Sequence, residues 1–182
     1  IFLIVIAFIS SLFIGMGVLV ARFAGAGEEE KVDRVIYQAF LTAVGISLFI
    51  MAPIGWFASP WLLHLINAAP PVKAEALPFL RIMFVGSIGM MVFFMLSGAL
   101  RSAGDARTPM ILGIALTVLN LVLNIIFISG FGPIPSMGTK GAAVGTCVAS
   151  GILMFWALWK LRAGAWVVSF PRGNGFRPDW EI

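Results

Sequence analysis

Charge is scarce in this chain. Acidic and basic residues together make up 11% of the 182 residues, against 60% hydrophobic, and the mean hydropathy is +1.04. A soluble domain is about half apolar and a quarter charged, so a water-soluble globule is excluded. Cysteine and histidine occur once each, as Cys147 and His64. A single cysteine rules out an internal disulfide. One isolated thiol and one isolated imidazole also argue against a polytopic membrane enzyme, which needs reactive side chains clustered near an interface. Ten-residue segments of alternating hydrophobicity are missing, which argues against a membrane barrel. The first residues carry neither an initiator Met, a basic stretch nor a small-residue cleavage site, so no signal peptide is read there. Ile1 opens inside an apolar run, and the expectation is a piece of a longer protein.

What remains is long uncharged stretches: 1–21, 35–63 ending at His64, 82–100, 108–139 and 141–159. Each holds a helix of about 20 residues, the length that crosses a hydrocarbon core. Without water the backbone must satisfy its own hydrogen bonds, so such runs become helices. The expected fold is all-α: a polytopic membrane bundle with five transmembrane helices near 1–21, 35–58, 77–100, 109–130 and 141–161.

The basic residues set the expected orientation. Arg22, Lys31 and Arg34 fall in the first loop, Arg101 and Arg107 in the third, and Lys160, Arg162, Arg172 and Arg177 at the end of the fifth helix and in the tail. The opposite side holds Lys73, Arg81 and Lys140. Short cytoplasmic loops are enriched in Lys and Arg, which places residue 1 outside and the tail in the cytoplasm of a multi-pass protein. Trp56, Trp61, Trp156, Trp159 and Trp166 cluster near helix ends, as interfacial anchors do.

The two cytoplasmic turns share an order of basic, small, glycine and acid. In ARFAGAGEEEKVDR (21–34), Gly25 and Gly27 can end the first helix, and Glu28, Glu29, Glu30 and Asp33 suit the start of the next. In LRSAGDARTP (100–109), Arg101 precedes a cap at Gly104, Asp105 or Thr108 is the expected N-cap, and Pro109 suits the first helical turn. The second loop, 59–78, is long and proline-rich and carries His64, Lys73 and Glu75. The fourth is a glycine and proline turn leading to GTKGAAVGT (138–146), a small-residue face that lets helix backbones approach closely.

All eight acids lie outside the spans, so the strongest polar groups at depth are Asn120 and Asn124 in LNLVLNIIF. Four residues apart, they share one face of the fourth helix, with Asn120 near mid-bilayer. An unpaired amide in hydrocarbon costs several kcal/mol, so this face meets another helix or a wet cavity. Two readings stand: interhelical hydrogen bonding, or the lining of a substrate or ion cavity. Thr117 extends the same face, and Thr146, Ser87 and Ser97 are further oxygens within reach.

LVARFAGAGE (19–28), FLRI (79–82), GALRSAGDARTPM (98–110), LNLVLN (119–124) and GTKGAAVGT (138–146) resemble, in order and spacing, the multidrug and toxic compound extrusion (MATE) transporters. That family has twelve helices in two six-helix lobes. The resemblance implies that residues 1–163 are helices two to six of the amino-terminal lobe, and that 164–182, with FRPDWEI, lead toward a second lobe. It further implies secondary antiport of drugs or organic cations against Na+ or H+, with no cofactor. The partners implied are the bilayer, small amphipathic or cationic substrates, and the first helix and second lobe of the same protein; no nucleic acid is expected. In many members the fifth helix carries Asn and then an acid four residues later, near the cation site; here the second position is Asn124, and Phe79 stands where a tyrosine is common. Asn120, Asn124 and Thr146 match positions near that site. Two rival functions are a lipid-linked oligosaccharide flippase of the wider superfamily, which tends to line its lobe with basic residues, and a non-transporting membrane scaffold.

Overall fold

The computed structural model describes residues 2–67, 69–164 and 166, with side chains from residue 13 onward. The chain forms five helical rods: α1 (Phe2–Gly25), α2 (Glu29–Leu65), α3 in two pieces (Pro70–Val85 and Ser87–Ser102), α4 (Arg107–Ser129) and α5 (Thr139–Arg162). α2, α4 and α5 are each long and apolar enough to cross a membrane, and α3 is a fourth such span when its pieces, bent by 49°, are taken together. Among the described residues a single β-bridge joins Phe131 to Ile134 in the turn after α4. Most of the expected linker, 167–182, lies outside the described residues.

The long second loop does not form. α2 runs on to Leu65 and α3 begins at Pro70, leaving only 66–69 between them. Pro60 and Pro78 are accommodated inside helices. Near the membrane the alternative to an internal bond is no bond, so helix continues through proline where neighbouring groups repair the gap. The Ser59 hydroxyl donates to the Gly55 carbonyl, next to the Trp56 carbonyl that Pro60 leaves without its helical donor. Both long rods are irregular where they meet. α2 takes a π-helical turn over Ile46–Met51, α3 bends at Gly86, and the Ser47 and Ser87 hydroxyls share a 2.9 Å hydrogen bond between them. Bends at glycine, serine and π-turns have this local cause.

The core occupies one end of the bundle. Val20, Val32, Ile36, Met95, Leu96, Ala99, Leu100, Leu112 and Leu161 are fully or almost fully buried, and all lie near the end that carries the α1–α2 and α3–α4 turns. Only 6% of the most apolar stretch of α4 is buried within this chain.

Those two turns have one geometry. Glu28 and Gly27 N–H donate back to the Phe23 and Ala24 carbonyls, and Asp105 and Gly104 N–H to those of Leu100 and Arg101. This paired closure needs a left-handed residue, supplied by Gly27 at φ 72° and Gly104 at φ 92°. Arg101 folds back on its own helix, Nε donating to the Ser97 carbonyl at 3.0 Å. Asp105 caps α4: its Oδ1 accepts the Arg107 and Thr108 N–H groups, each at 3.0 Å. Pro109, in the first turn, is buried and gives up an N–H that would have no helical partner there.

The Thr108 side chain and backbone, ahead of Arg107, hold the Asp105 carboxyl below its ordinary pKa of 3.8. A depressed folded pKa means stability that is complete above the unfolded value and lost as pH falls through the folded one. Asp105→Ala is therefore expected to cost about 1 kcal/mol at pH 7, with the gap to wild type closing only below pH 3.8. Thermal unfolding of both proteins in detergent across that range checks it; a gap independent of pH removes the capping role.

Candidate functional site

α4 and α5 pack backbone to backbone, and glycine is the reason. Gly141 and Gly145 lie one turn apart on α5 and are buried against α4. A Cβ at Gly141 would collide with the Phe127 carbonyl and lie 2.9 Å from Ile128 N; one at Gly145 would strike Asn124 Oδ1 and lie 3.1 Å from Asn124 N. The room that Gly145 leaves empty is filled by the Asn124 carboxamide.

From there a directed chain of hydrogen bonds runs across the seam. Asn124 Nδ2 donates to Asn120 Oδ1 at 2.9 Å. Asn120 Nδ2 donates to Thr146 Oγ1 at 3.0 Å. The Thr146 hydroxyl donates to the Ala142 carbonyl of its own helix at 2.9 Å. Asn124 Oδ1, at the head of the chain, is buried and has no donor among the described residues. With 13 residues from Arg107 to Asn120 at about 1.5 Å each, the chain lies about 20 Å along a helix of 23 residues. All three side chains are half-buried. A neutral chain of this kind joins two helices and offers carbonyl and hydroxyl oxygens to a cation; an amide cannot take up or release a proton near neutral pH.

The structure brings Asn120, Asn124 and Thr146 together and leaves Thr117 out. Thr117 is exposed and its hydroxyl donates to the Gly113 carbonyl of its own helix at 2.9 Å, the usual fate of threonine in membrane helices. Ser87 turns to Ser47, and Ser97 Oγ is buried without a partner among the described residues. Arg101, Gly104, Asp105, Thr108 and Pro109 form the α3–α4 turn, 11 or more positions before Asn120 in the chain. Phe79 lines a groove of about 460 Å³ with Pro71, Val72, Glu75, Ala76 and Thr139, and there the Thr139 hydroxyl donates to the Glu75 carboxylate.

The Ser47–Ser87 contact was missed in the sequence, although Gly45 and Gly86 each precede one of these serines closely, a weak sign of a bend. Cys147 stands isolated in the sequence, yet its side chain fills the place where a Cβ on Gly86 would be, and its thiol points at the Ile82 carbonyl at 3.5 Å. Among the described residues no group of three or more His, Cys, Asp and Glu side chains is arranged to hold a metal.

The fold and motifs have relatives. A probable multidrug resistance protein NorM of Bacillus cereus is 32% identical over 126 residues, covering 69% of this chain and 28% of that protein. The multidrug resistance protein MdtK of Cronobacter sakazakii is 26% identical across 97% of this chain and 39% of its own length. Among solved structures, an outward-facing multidrug resistance MATE family transporter of the MOP superfamily superposes with a TM-score of 0.82 at 25% identity, over 97% of this chain and 38% of that one. An inward-facing structure of such a transporter gives 0.78 at 24% identity, covering 93% of this chain and 39% of that one. The chain thus spans between a quarter and two fifths of the length of these relatives. The profile of the MatE family matches residues 1–126, and the chain belongs to that family of multi-pass membrane transporters.

Proposed function

We propose that the protein containing this chain exports drugs or other organic cations in exchange for an inorganic cation, and that residues 1–163 are five helices of its amino-terminal lobe. The observation that carries the reading is the amide–hydroxyl chain Asn124–Asn120–Thr146, held at mid-span in a member of a multidrug transporter family. Asn124 Oδ1 is a carbonyl oxygen without a donor among the described residues, in a seam that carries no acid. Sodium is the ion such a neutral oxygen set suits; a proton carrier would have to come from elsewhere in the protein. The thin packing around α4 leaves room for a further helix of the same lobe. The likeness of the fold to both an inward-facing and an outward-facing transporter fits a lobe that keeps its internal packing while moving against its partner. The turns rich in Arg and Lys, at the packed end of the bundle, support the orientation with residue 1 outside and the tail in the cytoplasm.

The test is dye transport by the full-length protein in everted vesicles under an imposed gradient of one ion at a time. A sodium gradient at constant pH is expected to drive transport into the vesicle, and a pH gradient without sodium is not. Transport driven by pH alone overturns the sodium assignment; no gradient-driven transport of any cationic dye overturns the reading as a whole.

A further inference from the structure

Arg81 is the one ionised side chain in α3 between Glu75 and Arg101. It is half-buried, its Nε is shielded from solvent with no acceptor, and among the described residues no carboxylate is in ion-pair contact with it. The facing stretch of α2 is uncharged from residue 35 to 63, and Glu75, the acid nearest in α3, is engaged by Thr139. The contact Arg81 does make is with an aromatic face: its guanidinium carbon lies 4.6 Å from the Trp56 ring centroid. Backbone geometry sets this up. Gly55 has no side chain, so Phe84 seats directly on α2, where any Cβ would overlap it. That contact brings the next residue of α2, Trp56, beside the residue one turn before Phe84 on α3, which is Arg81.

Depth follows from the chain. Arg101 sits in the last turn of α3, and Arg81 precedes it by 20 positions. At about 1.5 Å per residue this is about 30 Å of helix, only slightly shortened by the 49° bend at Gly86, and close to the thickness of a hydrocarbon core. Arg81 therefore stands at the far boundary of the bilayer, at the level of its headgroups. The neighbouring ring faces are open to the surroundings: Trp56 is 48% exposed and Phe57 79%. Lys160 at the opposite boundary also lies over tryptophans, at 5.8 Å from Trp156 and 5.4 Å from Trp159, but it occupies the last turn of α5, where helix carbonyls offset a cation. Arg81 lies ahead of the last turn of its piece of α3, and its guanidinium has no hydrogen-bond acceptor among the described residues. A half-buried planar cation, backed by an indole and lacking an anion, has the donor geometry that phosphate oxygens fit.

We propose that Arg81, stacked on Trp56, binds the phosphate of a phospholipid headgroup at the membrane boundary opposite Arg101. The indole fixes the plane of the guanidinium, its free N–H edge meets the phosphate, and the acyl chains lie along the exposed apolar face of α2.

Native mass spectrometry of the full-length protein in detergent tests this with three probes: phosphatidylglycerol, diacylglycerol with the same acyl chains, and inorganic phosphate. Wild type is expected to hold its tightest phosphatidylglycerol about tenfold more strongly than diacylglycerol, as charge-assisted hydrogen bonds to one phosphate imply. Arg81→Gln removes that preference, Arg81→Lys keeps part of it, and inorganic phosphate does not displace the lipid. Equal retention of phosphatidylglycerol and diacylglycerol by wild type overturns the proposal, and needs no variant to fold. So does an unchanged preference in Arg81→Gln. Displacement by inorganic phosphate makes the site one for free anions and overturns the lipid assignment.

Discussion

Gly141→Leu is expected to abolish assembly of the full-length protein, seen as loss of its monodisperse peak in detergent and of its membrane-fraction signal. The obstacle is steric and lies in the backbone. Even the first carbon of a new side chain at Gly141 would overlap the Phe127 carbonyl and lie 2.9 Å from Ile128 N. A rotamer change cannot relieve a clash with main chain; α4 and α5 have to separate. Moving them apart breaks the Asn120–Thr146 bond, 3.0 Å long, and opens the seam along its length. In lipid no hydrophobic drive closes such a gap, because the tails are as apolar as the side chains, so close contact is most of what joins the helices. Overpacking costs 1–3 kcal/mol even in adaptable cores; a backbone collision on a helix seam is expected to exceed the upper end. Gly141→Ala should fail partly by the same route. Gly151→Ala is the control on the same helix: a Cβ there meets nothing within 4 Å, and trading glycine for alanine in a helix favours folding by up to about 1 kcal/mol. Normal assembly of Gly141→Leu would mean that the two helices are not packed as described.

The sequence carried the architecture because the bilayer leaves few choices. Stretches without charge had to be helices, and the turns announced themselves through Ala-Gly-acid strings whose glycines adopt positive φ. What stayed hidden lies where helix continues against local preference. Pro60 reads as loop and Pro78 as the place where loop meets helix; beside a membrane the chain keeps its helix around both, and α2 and α3 grow at the expense of the loop between. The close approach at Gly86 was equally hidden, because the side chain that fills its missing Cβ space, Cys147, comes from another helix. The site divides the same way. Spacing put Asn120 and Asn124 on one face, and the structure gives them a partner in Thr146. Spacing put Thr117 on that face as well, but a hydroxyl can turn to its own backbone and an amide three residues away cannot prevent it.

Whether the amide chain is only an adhesive or also a transport surface is decided by two substitutions that break the same bond. Thr146→Val and Asn120→Leu both delete the 3.0 Å contact between α4 and α5. Thr146→Val keeps the shape and leaves both asparagines joined through their 2.9 Å bond. Interhelical hydrogen bonds of this type are worth about 1 kcal/mol, so assembly should drop slightly and efflux by about threefold or less. Asn120→Leu removes the middle of the chain: Asn124 Nδ2 loses its acceptor, and one carbonyl oxygen available to a passing cation becomes hydrocarbon. If these amides face the transport path, dye efflux in Asn120→Leu falls by tenfold or more, about 1.4 kcal/mol or beyond in coupling, at a membrane level matching Thr146→Val. Equal, small losses in the two variants would reduce the chain to an adhesive between helices. Equal, large losses would place the requirement in the bond itself, whichever side chain makes it. The expected inequality follows from the buried, donorless Oδ1 of Asn124, which Asn120 orients and Thr146 does not touch.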